Sequence, residues 1–205
     1  MAATARGEAP VVIAGHFGFA AGVKAREQAV PLWALMLATQ WLDVVFVPLF
    51  LTHVERIDTI GGGSAGYGNG IIHADYTHSL VGAIVLALLF ALPAAWRWGR
   101  RAGVVLGAVV LSHWVLDLVV HRHDMPLWPG APAGTRLFGF GLWRSPIVAA
   151  AAELALVLWG GAAYLRAAVA AARAHDPARI RRARVAGAAV FAAGLLTLAL
   201  SVAGL

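Results

Sequence analysis

Five apolar stretches, each close to the length of a bilayer crossing, constrain this chain more than any other feature. They run roughly from Val30 to Thr52, Thr77 to Trp96, Ala102 to Val120, Ser145 to Leu165 and Val185 to Leu205. A hydrocarbon layer ~30 Å thick needs about 20 helical residues, each rising ~1.5 Å. Lipid offers no water to satisfy peptide groups, so such stretches are expected to be helical. Composition agrees, with 60% hydrophobic and 13% charged residues, where a soluble domain carries roughly 25% charged. A chain of 205 residues could not hide that much apolar surface in one aqueous core. The expected fold is all-α, a polytopic membrane helix bundle forming a single transmembrane domain over residues 1–205. It has five full transmembrane helices and a short inserted helix over residues 10–23. That short segment carries His16 at its middle, with Gly15, Gly18 and Gly22 around it. Arg6 and the small residues also suit a signal peptide, but Glu8 and the intervening histidine speak against one.

The formal charge of +6 reads as topology rather than as a nucleic-acid footprint. Lys24 and Arg26 precede the first full span, and Arg97, Arg100 and Arg101 separate the second from the third. Arg166, Arg173, Arg179, Arg181, Arg182 and Arg184 precede the last. These regions alternate along the chain and so fall on one side, the cytoplasmic side of an inner membrane by the positive-inside rule. Residues 166–184 are expected to form a basic linker helix on that surface, in contact with anionic membrane lipids. The opposite side receives a glycine-rich loop from Ile60 to Gly70 and a Pro/Gly-rich loop from His121 to Arg144. The run Gly61-Gly62-Gly63-Ser64 lacks the Gly-Lys-Ser/Thr ending of a phosphate loop and reads as a connector. The chain has no cysteine, which excludes disulfides and thiolate metal sites.

Function is sought among side chains that a bilayer penalises. A charged group at the centre of a membrane helix costs at least ~2.5–3.5 kcal/mol on insertion scales. His16, Asp43, Asp75, His78, His113, Asp117 and Glu153 fall in or beside the spans, and most share one depth in the outer half. His113 and Asp117 are four apart on one helical face, which His121 extends to the membrane edge. Asp124 joins them if the helix persists. Asp75, His78 and Ser79 begin the preceding span at spacings of three and four. Two His/Asp faces on adjacent helices suit a divalent cation such as Zn, Mn or Fe, with His16 and Asp43 completing its shell. The competing readings are a metal-free structural network, ion or proton conduction, and haem held by His78 and His113. Haem is disfavoured by the neighbouring carboxylates.

At these residues the chain resembles the YdjM-like family of inner-membrane proteins assigned as metal-dependent hydrolases. The resemblance rests on Gly15-His16-Phe17, Gln40-Trp41-Leu42-Asp43, Thr77-His78-Ser79-Leu80, and His113 with Asp117. Their order and spacing match from about residue 10 to residue 145. It implies a helical membrane fold and a metal-using hydrolase. Two departures are evident: Asp75-Tyr76 stands where many relatives carry an Arg-Gly-like pair, and the second span has only Asp43 where many have a second aspartate nearby. This bears against a two-metal site.

The expected activity is therefore metal-dependent hydrolysis near the outer membrane boundary, on a lipid or phosphoester. His78, His113 and Asp117 are the expected metal ligands, with His16 or Asp43 beside them. Asp75 or His121 is the candidate general base, and Ser79 a hydrogen-bond donor to substrate. Arg122 and Arg144 are candidates for holding an anionic head group, and Glu153 for orienting a ligating histidine. The alternatives are a transporter using the same polar cluster and a structural assembly protein.

Overall fold

A computed structural model describes residues 14–59, 70–132, 134–175 and 177–203. Four helices are long and apolar enough to cross a membrane, and a bent pair brings the number to five. The chain runs through α1 (Ala14–Arg26), α2 (Leu32–Thr39), α3 (Trp41–Leu51), α4 (Leu80–Trp98), α5 (Arg100–Val120), α6 (Pro146–His175) and α7 (Ile180–Ala203). The expected short inserted helix is α1, which continues to Arg26. Residues 10–13 and the Gly61–Ser64 connector lie outside the described residues.

Three expectations change. The segment from Val30 to Thr52 is two helices, α2 and α3, bent by 48° at Gln40. Neither glycine nor proline stands at the bend, and Pro48 lies further on, inside α3. Thr39, next to the bend, is hydrogen-bonded to His16 of α1 and His113 of α5. The basic segment 166–184 is not a separate linker helix. Helix α6 runs unbroken for 30 residues, ~45 Å at 1.5 Å per residue, longer than the ~30 Å of a bilayer's hydrocarbon core. A short 3-10 turn, Pro177–Arg179, then leads into α7. The chain is also not purely helical. Strands β1 (Arg56–Thr59) and β2 (Gly70–His73) pair antiparallel, as do β3 (Met125–Pro126) and β4 (Leu137–Phe138). Both small sheets lie in the loops expected on the outer side.

Small residues set the packing. Helices α1 and α6 run side by side in the same direction: Gly15 faces Glu153, Gly18 faces Leu156 and Val157, and Gly22 faces the Trp159 ring. A Cβ on Gly18 would meet the backbone of Leu156, and one on Gly160 would fall on the carbonyl of Gly18. Close approach of backbones is the usual basis of helix association in lipid, where no hydrophobic drive operates. Helix α7 runs antiparallel to α6, with Gly187 on Leu165 and Gly194 on Val157. Helices α4 and α5 form a hairpin around Gly99, whose φ of 88° is accessible to glycine at little cost, and Gly103 seats against Ala95. Leu35, Leu42, Leu106 and Val110 form the centre of the apolar core, all fully buried.

These directions give the bundle two chemically distinct ends. One gathers the starts of α1, α4 and α6 with the end of α5, and it holds the buried histidines and acids. The other gathers Arg26, Arg97, Arg100, Arg101, Arg179, Arg181 and Arg182 at the opposite helix ends.

Gly160→Val places a side chain where the backbone of α1 already lies. It is expected to lower stability by at least ~1–3 kcal/mol, read as a lower unfolding midpoint in detergent. Gly99→Ala, strained but facing open space, is expected to cost less.

Candidate metal centre

Five of the residues singled out by sequence converge at the first end of the bundle. His16 comes from the first turn of α1, Asp43 from the first turn of α3, His78 from the turn before α4, and His113 and Asp117 from α5. His16, His78, His113 and Asp117 are each 5% exposed or less, while the Asp43 side chain retains 23% exposure. Two groups could hold a metal ion, His16–His113–Asp117 and Asp43–His78–His113, the ligand atoms in each lying within 4.8 Å of one another.

The imidazoles all present Nε2 to the carboxylates. His113 Nε2 lies 3.0 Å from Asp117 Oδ2 and 3.6 Å from Asp43 Oδ1. His78 Nε2 lies 3.4 Å from each of the same two oxygens. His16 Nε2 approaches the other oxygen of Asp117, Oδ1, at 3.3 Å. The rings of His16 and His113 are 4.2 Å apart between centroids.

The opposite nitrogens are fixed by the surrounding backbone and side chains. His113 Nδ1 donates to the Thr39 carbonyl at 2.6 Å. A carbonyl can only accept, so Nδ1 carries the proton. The bend at Gln40 puts that carbonyl within reach of α5, while the Thr39 hydroxyl donates to the His16 carbonyl at 3.2 Å. Thr39 therefore ties the break in the span to two of the histidine-bearing helices. His78 is oriented by a relay. The Thr77 hydroxyl donates to Glu55 Oε2 at 2.9 Å, which leaves its oxygen to accept from His78 Nδ1 at 2.8 Å. Glu55, 1% exposed, also accepts from the amides of Tyr76 and Thr77. Trp114 Nε1 donates to the His78 carbonyl. A metal-ligating histidine is commonly held in this way by a hydrogen bond at its other nitrogen. His16 differs: neither of its ring nitrogens has a hydrogen-bond partner among the described residues. Its approach to Asp117 is close enough for an ion pair but is not aligned as a hydrogen bond.

Other expected site residues sit elsewhere or serve other ends. His121 closes α5 and donates from Nδ1 to Asp124 Oδ1 at 3.0 Å, with Nε2 3.9 Å from Asp117 Oδ2. Burial opposes its charged form, but the Asp124 hydrogen bond and the nearby carboxylates outweigh this and raise its pKa. Asp124 joins the cluster although α5 has ended, because its second oxygen accepts from the Ile72 amide of β2. Ser79 caps α4, accepting from the Gly82 amide and donating to the Tyr76 carbonyl, so its hydroxyl is committed to structure. Asp75 lies in the same turn, not on a helical face. It pairs with none of these histidines among the described residues, and its carbonyl accepts from Gly130. Glu153 is buried and accepts from the Gly15 amide, which orients the start of α1 rather than a histidine ring. Arg144 is exposed and lies beside His123, and Arg122 is half-buried in the turn after α5. His73 pairs with Asp58 within the β1–β2 hairpin.

Glu55 and Thr77 were not legible as site residues. Glu55 follows the end of α3 and looks like a surface acid. Only its return to the turn before α4 gives it a role. No family model, curated protein or solved structure matches this chain.

Thr77→Val leaves His78 Nδ1 and a Glu55 oxygen without their partner. It is expected to cost ~1–3 kcal/mol, seen as a lower unfolding midpoint, while Thr77→Ser retains the relay and most of the stability. Glu55→Ala strands three donors and is expected to cost more than Thr77→Val in the same measurement.

Proposed function

We propose that this protein is a membrane-embedded, metal-dependent hydrolase acting on a lipid or phosphoester at the membrane boundary where the His/Asp cluster lies. The observation that carries the reading is the disposition of His78 Nε2, His113 Nε2, Asp43 Oδ1 and Asp117 Oδ2. Ligand atoms ~2.0–2.2 Å from a tetrahedral cation lie roughly 3.3–3.6 Å from one another. Three of the four His–Asp separations among these atoms, 3.4, 3.4 and 3.6 Å, fall in that range, and the fourth, between His113 and Asp117, is shorter at 3.0 Å. With Nδ1 protonated on both rings, neutral imidazoles would turn Nε2 lone pairs toward two carboxylates, an arrangement that repels unless Nε2 is also protonated or a cation stands between them. A divalent ion would also balance the two negative charges inside the bundle. The purely structural reading fits less well, since His16, though 3.3 Å from Asp117, makes no hydrogen bond at either ring nitrogen among the described residues. The resemblance to the YdjM-like family, carried by the same residues, points the same way.

A cation held by these residues would supply Lewis acidity for hydrolysis. His121, steadied by Asp124, is placed to move a proton at Nε2, and the partly exposed Asp43 marks the side from which substrate would reach the cluster. This assigns proton transfer to His121 rather than to Asp75 and leaves Ser79 out of the chemistry. Arg122 and Arg144 lie after α5 and before α6, where an anionic head group would reach them. Zn suits the nitrogen and oxygen donors and their spacing, and Mn and Fe accept the same ligands.

Transport is the second reading, favoured by the bend at Gln40. Broken helices line ion sites in many transporters, but usually as a pair in two related halves, and only one bent pair occurs among the described residues.

Metal analysis of protein purified without chelators is expected to find about one divalent ion per chain. His113→Ala and Asp117→Asn are expected to weaken it by more than tenfold, and Glu55→Ala by about 10–100-fold. Affinity is expected to fall as the pH is lowered, because protons compete with the metal for the ligating imidazoles. Absence of metal overturns the proposal. Bound metal with no cleavage of phospholipids or phosphomonoesters, together with metal uptake into proteoliposomes, selects transport.

A further inference from the structure

The arginine-rich end of the bundle contains a cavity of about 700 Å³ between three elements. Gln28, in the turn after α1, closes one side. Ala168, Ala171 and Ala172 of α6 form a floor, and Arg179 and Arg182 line the rim with Ala183 and Ala186 of α7. The alanines leave the space open, since longer side chains at those positions would fill it. The turn is fixed by Lys24, whose Nζ donates to the carbonyls of Gln28 and Val30 at 2.6 and 2.7 Å. That lysine is thereby withdrawn from any ligand, whereas the guanidinium of Arg182 has no carboxylate partner among the described residues. Residues 166–184 contain six arginines and one acid, Asp176. The cavity lies at the end of the membrane helices opposite the His/Asp cluster.

We propose that this cavity binds the phosphate of an anionic phospholipid, with Arg179 and Arg182 as its charge partners and Gln28 as a further donor. Guanidinium groups match phosphate oxygens in geometry as well as charge. Basic pockets between membrane helices on the cytoplasmic side are a general solution for anionic head groups. The apolar flanks of α6 and α7, with Val185 63% exposed, continue from the cavity as a surface for the acyl chains. The site is independent of the metal centre and stands if the hydrolase reading fails.

The test is a titration of the full chain in phosphatidylcholine vesicles with a fluorescent phosphatidylglycerol. Saturable binding is expected, and Arg179→Ala with Arg182→Ala should weaken it by about tenfold. Arg97→Ala with Arg100→Ala, at the same end but outside the cavity, is expected to change it less than twofold. Ala172→Leu with Ala183→Leu keeps every charge and fills the space, and it should abolish saturation. Should a double variant unfold in detergent, Arg182→Gln alone, on an exposed side chain, takes its place with a smaller loss in the same direction. Equal loss in the Arg97/Arg100 pair would show diffuse surface attraction and overturn the proposal. So would unchanged binding in the filled variant, or equal competition by phosphatidylcholine. Displacement by millimolar inorganic phosphate as effectively as by lipid would assign the cavity to the free anion instead.

Discussion

Two carboxylates inside an apolar bundle are the constraint around which this end of the protein is arranged. Asp43 and Asp117 belong to different helices, and the imidazoles of His78 and His113 stand between them. Unpaired, each buried charge would cost several kcal/mol. The neighbouring hydrogen bonds take up the far side of each ring, so the near side must meet the carboxylates. Either the rings are protonated or a cation lies among the four atoms. The proposed metal centre follows from the second alternative, in which the donors at Nδ1 are already fixed to oxygen acceptors.

That arrangement reaches well beyond the ligands. The bond from His113 to the Thr39 carbonyl uses a backbone group next to the break between α2 and α3. A continuous helix there would direct the same carbonyl along its own axis. The break also sets Asp43 in the first turn of a new helix, where a carboxylate is favoured by the exposed amides. Glu153 serves α1 in a similar way, through the Gly15 amide. On the far side of the cluster, Glu55 joins the end of α3 to the turn before α4 through Thr77 and two amides. Several helix ends therefore share one polar network, and altering one ligand is felt by elements that never touch it.

The mostly helical architecture, with helices long and apolar enough to cross a membrane, was legible because hydropathy and length act over about 20 residues at a time. So were the residues of the buried His/Asp cluster, since histidine and aspartate in such stretches carry a cost that demands a reason. What sequence could not disclose depended on distant contacts. No local signal marks Gln40 as a bend, because the bonds that stabilise it come from α1 and α5. The TH-S motif at Thr77, His78 and Ser79 suggested a helical face, yet Ser79 is the cap and the two residues before it lie outside α4. Asp75 was thereby misplaced as a partner for His78, while Asp124 was gained through a turn rather than a continuing helix. The end of α6 was misread for a different reason: Ala and Arg are both strong helix formers, and composition alone does not say whether such a run starts a new helix or prolongs the old one.

The most direct measurement is X-ray absorption at the metal edge on protein purified in detergent without chelators. The proposed centre predicts nitrogen and oxygen neighbours at ~2.0–2.2 Å, with outer scattering from at least two imidazoles that diminishes in His113→Ala. A spectrum of oxygen neighbours alone, with no imidazole scattering and no change in that variant, would contradict it.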